Sequence, residues 1–172
     1  MQTRPLKTLV LADRAADVTK LLPHRAMARA EASIHVERPV EEVFAYLTDL
    51  GRVPEWQTNV LFLQLQSPGG LRTGAKLVEL RKFLGRNVES VVEVTAYEPP
   101  HRYTIVVQAG PIPFEISNVL SEDEGGTRID AVVEGEPGRF FGLVEWRVVK
   151  AVERELWNSL ATLKDILEAQ PG

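Results

Sequence analysis

Three histidines, no cysteine and a scatter of strand-borne acids are the stock from which this 172-residue chain could build a reactive centre. The lack of cysteine removes disulfides, thiol nucleophiles and thiolate metal sites together. No HExxH helix, GxSxG elbow or phosphate-cradling glycine loop occurs. His35 alternates with Ile34 and Val36 and so points off a core face, His101 follows Pro99-Pro100 in a turn, and His24 lies in the first 31 residues. Each reads as a solvated side chain rather than a ligand or base. No metal site and no cofactor is expected, and no catalytic constellation is identified.

Polar residues on strands are the next candidates. In "FEISNVL" one face carries Phe114, Ile116, Asn118 and Leu120, so Asn118 shares an apolar face and must find a partner in backbone, water or ligand. Ser90 sits likewise among Val88, Val92 and Val94. Tyr46 and Tyr103 pair an apolar ring with a polar tip, suited to orienting a ketone or phenol and equally ordinary at a core edge. Glu79, Glu89 and Glu93 recur on strands opposite Arg81 and Arg86, and cross-strand ion pairs on a wet face account for them. The hairpin tip "RKFLGR" is basic and exposes Phe83 or Leu84.

Trp56 raises a sharper question, because it lies in the connector "DLGRVPEWQTNV" between a helix and a strand. It either plugs the end of an ordinary core or closes one end of a pocket.

The elements that must hold these residues follow from periodicity. "ASIHVE" alternates Ala32, Ile34 and Val36 against Ser33, His35 and Glu37, a half-buried strand. Pro39 opens a helix with Glu41 and Glu42 in its first turn, and Val40, Val43, Phe44 and Leu47 form its apolar face. Gly51 and Pro54 break it before a second short turn with Glu55 and Trp56. Six strands follow, "NVLFLQLQ", "KLVELRKFL", "NVESVVEVTAYE", "RYTIVVQA", "FEISNVLSE" and "TRIDAVVEG", joined by short Gly- and Pro-bearing turns. Such spacing predicts an antiparallel meander rather than βαβ units. Phe141, Val144, Val148, Val152, Leu156, Leu160, Leu163 and Leu167 then mark a helix over roughly 140–168. At about 42 Å it is long enough to lie across a small sheet. The fold class is α+β with helices segregated to one side of an antiparallel sheet.

Composition narrows the partners. Hydrophobic residues make up 44% and charged residues 26%, near the globular average, and no stretch approaches the ~20 apolar residues of a membrane span. Of the net charge of −4, residues 1–31 carry +3 and the remainder −7. An acidic body suits a phosphate backbone poorly, so no nucleic-acid partner is expected. Residues 1–31 are read as a loosely packed extension or an early start site, with Met27 an alternative initiator and an organelle-targeting presequence the second reading, and 32–169 as the domain. The lack of cysteine suits a reducing cytosol, and a cytoplasmic location is expected.

"ASIHVERPVEEVFAYLTDLGRVPEW", "VEVTAYEPPHRYTIVV", "GGTRIDAVVEGE" and "ERELWNSLATLKDILEA" occur in that order. They resemble the opening, central hairpin, last strand and closing helix of the START/SRPBCC superfamily, nearest its polyketide cyclase/dehydrase and lipid-transport-like branch. The resemblance implies a helix-grip fold: a curved seven-stranded antiparallel sheet wrapped around a long C-terminal helix, with two short helices after strand 1 closing a cavity between them. Strand parity and helix spacing place Phe44, Trp56, Phe62, Tyr103, Phe114, Asn118, Val148, Val152 and Leu156 around that cavity.

Three functions compete. The first is binding, with transport or sensing, of a small hydrophobic molecule. At about 0.8 kcal/mol per buried CH₂, a ten-carbon body gains roughly 8 kcal/mol, about micromolar affinity before immobilisation costs. The second is a cyclase or dehydratase acting on a polyketide-like chain in the same cavity, which needs a positioned acid or base. The third is a protein-interaction module, whose partner the sequence does not name.

Overall fold

The structure, a computed structural model, describes residues 28–111, 113–135 and 145–170. Strand β1 (Ala28–Val36) leads to helices α1 (Val40–Thr48) and α2 (Val53–Trp56). Strands β2 (Val60–Leu65), β3 (Lys76–Phe83), β4 (Arg86–Glu98), β5 (Arg102–Ala109), β6 (Phe114–Asp123) and β7 (Gly126–Gly135) follow, and α3 (Glu145–Ala169) ends the order. The seven strands form one antiparallel sheet in the order β1-β7-β6-β5-β4-β3-β2. This is the helix-grip architecture: a meander from β2 to β7, with β1 returned to its far edge beside β7.

β1 begins four residues before the alternation "ASIHVE" suggests. Ala28 pairs with Gly135 and the ladder runs unbroken to Val36 and Thr127, so residues 28–31 belong to the sheet and the 31/32 boundary moves back. Ala28 and Ala30 are too small to mark an inward face, and Arg29 between them turns outward to bond Glu134 at 2.7 Å. Residues 1–27, with His24 and Met27, lie outside the described residues, as do Phe141 and Val144 of the expected helix stripe.

Helix α3 is fixed to the sheet most firmly at its carboxyl end. Leu160, Leu163 and Leu167 are fully buried against Val36, Val40, Val43, Leu120 and Ile129 in the main core. Arg38 donates to the Leu167 carbonyl at 2.9 Å and also bonds the Gln170 carbonyl, supplying a cation where the helix dipole is negative. Lys164 reaches the His35 carbonyl at 2.8 Å, and the Glu37 N–H donates to Glu168 at 2.8 Å, which holds the Glu168 carboxyl below its usual range. Further back along α3, Val148, Ala151 and Val152 pack with Phe83 and Val88 in a separate cluster. The two clusters do not merge, and a cavity lies where they part.

Candidate functional site

A cavity of about 120 Å³ separates the first half of α3 from the sheet. By the same measure one water needs ~10–15 Å³, so the space suits a small organic molecule. Its walls are mostly apolar: Val148, Val152, Leu156 and Leu160 from α3, Phe83 and Val88 from the β3–β4 hairpin, Phe114 and Ile116 from β6, and Ala28 and Ala30 from β1. A smaller space of about 30 Å³ adjoins it, with Tyr103, Glu79, Leu77 and Ile105 in its lining. Trp56, Gln57, Arg81, Ile116 and Asn118 line both, so they form the partition between outer and inner spaces.

The partition carries charge. On β3 the inward side is Leu77, Glu79, Arg81 and Phe83, and Glu79 is only 3% exposed. Arg81 grips it with two parallel bonds, Nε to Oε1 and Nη2 to Oε2, the second at 2.8 Å. The guanidinium also lies over the Phe114 ring, 5.7 Å from its centroid. Burial opposes the Arg81 charge, and the Glu79 carboxylate more than offsets this, so its pKa is raised. Across the cavity, Glu155 of α3 accepts from Asn59 Nδ2 at 3.0 Å. Desolvation pushes the Glu155 carboxyl up, against the opposing pull of Arg81, Arg154 and Asn59. No direct ion pair joins Glu155 to either arginine among the described residues. Tyr103 is held strongly toward its neutral form, by burial first and then by the charge of Glu79.

Trp56 is positioned by a polar clamp between the two short helices. Tyr46 on α1 donates to Glu55 on α2 at 2.5 Å, and Arg52 lies over the Tyr46 ring at 5.1 Å. Pro54 starts the single turn of α2 that delivers Trp56 inward. Trp56 is 4% exposed, packs in the main core and lines both spaces, so it is plug and cavity wall at once. Its indole N–H is buried without a hydrogen-bond partner among the described residues.

Of the nine residues expected around the cavity, Trp56, Phe114, Asn118, Val148, Val152 and Leu156 line the larger space. Tyr103 lines the inner one. Phe44 does neither: it is buried against Tyr97 at 5.6 Å, and Tyr97 meets Tyr103 edge-on at 6.3 Å, so Phe44 stands one aromatic layer behind. Phe62 is 46% exposed, because a register shift between Val60 and Phe62 inserts an extra residue and reverses the parity of β2. Tyr46 spends its hydroxyl on Glu55, and Phe83, buried at the hairpin tip, leaves Leu84 as the exposed one. His35 and His101 line neither space.

The expectation that Glu79 pairs across strands on a wet face fails. Glu79 and Arg81 are two apart on one strand, hence on one face, and that face is the inner one. The signal was their shared parity with Leu77 and Phe83, masked because Val78 and Leu80 make the opposite face apolar as well. Glu155 was missed because charged residues at its position on a helix usually face water. Among the described residues no cluster of three or more His, Asp or Glu is placed to hold a metal ion. No described helix is long and apolar enough to cross a membrane.

Known proteins match this geometry. TTHA0849 from Thermus thermophilus superposes with a TM-score of 0.71 at 20% identity, covering 83% of this chain and 99% of its own. A START superfamily protein from Mycobacterium smegmatis gives 0.70 at 13% identity, covering 81% and 97%. DynU16, a protein in the dynemicin biosynthetic locus, gives 0.60 at 23% identity over 83% of this chain, which spans only 48% of that one. Comparison with curated protein sequences finds no significant match. The family described as polyketide cyclase/dehydrase and lipid transport matches residues 27–168, nearly the whole span from β1 to the end of α3. The chain is therefore a member of that family, a START-like helix-grip domain.

Proposed function

We propose that this chain binds a small hydrophobic molecule in the cavity under α3. The observation that carries the reading is a space of about 120 Å³ with mainly aliphatic and aromatic walls and a few convergent polar groups at its inner end. Burial of apolar surface supplies the affinity, and Arg81, Asn118 and Glu155 supply orientation. A neutral apolar fluorophore such as N-phenyl-1-naphthylamine tests it. Saturable binding with quenching of tryptophan emission is expected. Val152→Trp, which fills the space, should abolish the binding while the far-ultraviolet circular dichroism stays unchanged. Absence of binding by the parent protein would overturn the reading.

A cyclase or dehydratase reading is second, and one observation favours it. Glu155 is a carboxyl raised by burial that faces an apolar cavity, a setting in which a carboxyl can act as general acid or base. Proton movement on a bound poly-β-ketone chain would then depend on Glu155. Incubation with such a chain and mass analysis for loss of water would reveal turnover, abolished in Glu155→Gln.

A further inference from the structure

Among the described residues the charges around the cavity do not balance, and the imbalance selects the ligand's head group. Three charged residues among those described line the space: Arg29, Arg81 and Glu155. Arg29 is committed outward, to Glu134 at 2.7 Å and Glu31 at 3.2 Å. Arg81 is committed to Glu79 through a bidentate contact, so that pair contributes no net charge. Arg154, beside Glu155 on α3, is exposed. Among the described residues the carboxylate of Glu155 is thus left without a contacting cation and has the Asn59 amide as its hydrogen-bond partner. Tyr103, beyond the partition, is neutral.

A second observation points into the same space. The Asn118 side chain is 7% exposed, lines both compartments and makes no hydrogen bond among the described residues. The buried side-chain N–H left without a partner among the described residues is that of Trp56; the Asn118 amide stays open to the space, where a ligand or water can complete it. Asn118 can donate and accept, whereas Glu155 when ionised only accepts.

We propose, resting on the binding reading above, that the cavity takes an apolar molecule whose head group donates a hydrogen bond and bears no negative charge, and that Glu155 is the acceptor. A hydroxyl, phenol or amine satisfies both Glu155 and Asn118. A carboxylate head would place a third acidic charge beside one arginine in a poorly solvated space and could donate nothing. The class is therefore an apolar alcohol, phenol or amine, and not a fatty acid.

The test is displacement of N-phenyl-1-naphthylamine from the full-length protein by naphthalene, 2-naphthol, 2-naphthoate and 2-naphthylmethylamine, at neutral pH. A hydrogen bond to a charged acceptor predicts that 2-naphthol displaces the probe at a concentration about tenfold below that for 2-naphthoate. In Glu155→Gln, which keeps an acceptor oxygen without the charge, that gap should close to within about threefold. The amine separates the two head types: tighter than naphthol, the head is a cation, and weaker, a neutral hydroxyl. Naphthoate binding as well as naphthol, naphthalene binding as well as naphthol, or a gap unchanged in Glu155→Gln would each overturn the proposal. So would probe binding that none of the four displaces. If the probe itself does not bind, the binding reading falls instead. The comparison of ligands on the unmodified protein holds whether or not the variant folds.

Discussion

Arg81 and Glu79 are the residues whose arrangement most constrains what the cavity can do, and their energetics can be separated by mutation. The pair is bidentate, with side-chain exposures of 14% and 3%. Removing one partner of a buried pair strands the other charge and costs about 3–5 kcal/mol. Replacing both by apolar residues of similar volume removes the desolvation penalty together with the attraction, and is often near neutral. Arg81→Met should accordingly destabilise the protein far more than the double change Glu79→Leu, Arg81→Met, as read from urea midpoints. Equal losses would mean that the pair stabilises the fold outright rather than serving the site. At this scale the sequence was a partial guide. Helix spacing put Val148, Val152 and Leu156 on the cavity side of α3, and strand parity put Phe114 and Asn118 on the inner face of β6. Parity failed at Phe62, where one inserted residue reverses the face, and charge type misled at Glu79 and Glu155. Ionised side chains are nearly always solvated, and only a partner brought by the fold explains the exceptions.

Elements were easier to read than residues, because their limits are set by local chemistry. Pro39 and two glutamates open α1, and short turns with glycine separate β3 from β4 and β6 from β7. Both turns have two residues at positive φ: Leu84 at 47° with Gly85 at 80°, and Glu124 at 45° with Gly125 at 81°. That is the twist a two-residue hairpin loop requires, and its first position favours Asn, Asp or Gly. Leucine is a poor occupant, since its Cβ crowds the backbone in this region at a cost of roughly 1–2 kcal/mol. Leu84 is also exposed and joins neither hydrophobic cluster among the described residues, so little packing there repays the strain. Leu84→Asn should therefore raise stability by about 0.5–1 kcal/mol, about half of the left-handed penalty. Chemical denaturation checks it; a loss of stability would show that the exposed leucine makes a contact the turn needs. β1 shows the opposite limit of sequence reading. Its first four residues, Ala28 to Glu31, carry no large apolar side chain, and only their ladder with β7 identifies them as strand.

On the scale of the whole molecule, the meander and the helix laid across it were readable from turn spacing and from the stripe of Val148 to Leu167. The cavity was not. It exists because the Phe83–Val88–Val148 cluster and the main core both close around α3 without meeting, and such a gap depends on packing across elements far apart in sequence. Where the sheet starts is likewise read from pairing rather than from pattern. The β1–β7 ladder begins at Ala28, and the family match begins at residue 27. A chain begun at Met27 retains every described residue of that ladder and of both hydrophobic clusters. We propose that residues 1–26 form an extension peripheral to this domain. The shortened chain should then unfold within about 4 °C of the full-length protein, equivalent to roughly 1 kcal/mol for a domain of this size. Calorimetry of both proteins in one buffer gives the answer, and probe binding measured in parallel should be unchanged. A fall of about 10 °C, equivalent to roughly 3 kcal/mol or more, would show that residues 1–26 contribute to the fold. A change in probe affinity alone would tie them to the cavity instead.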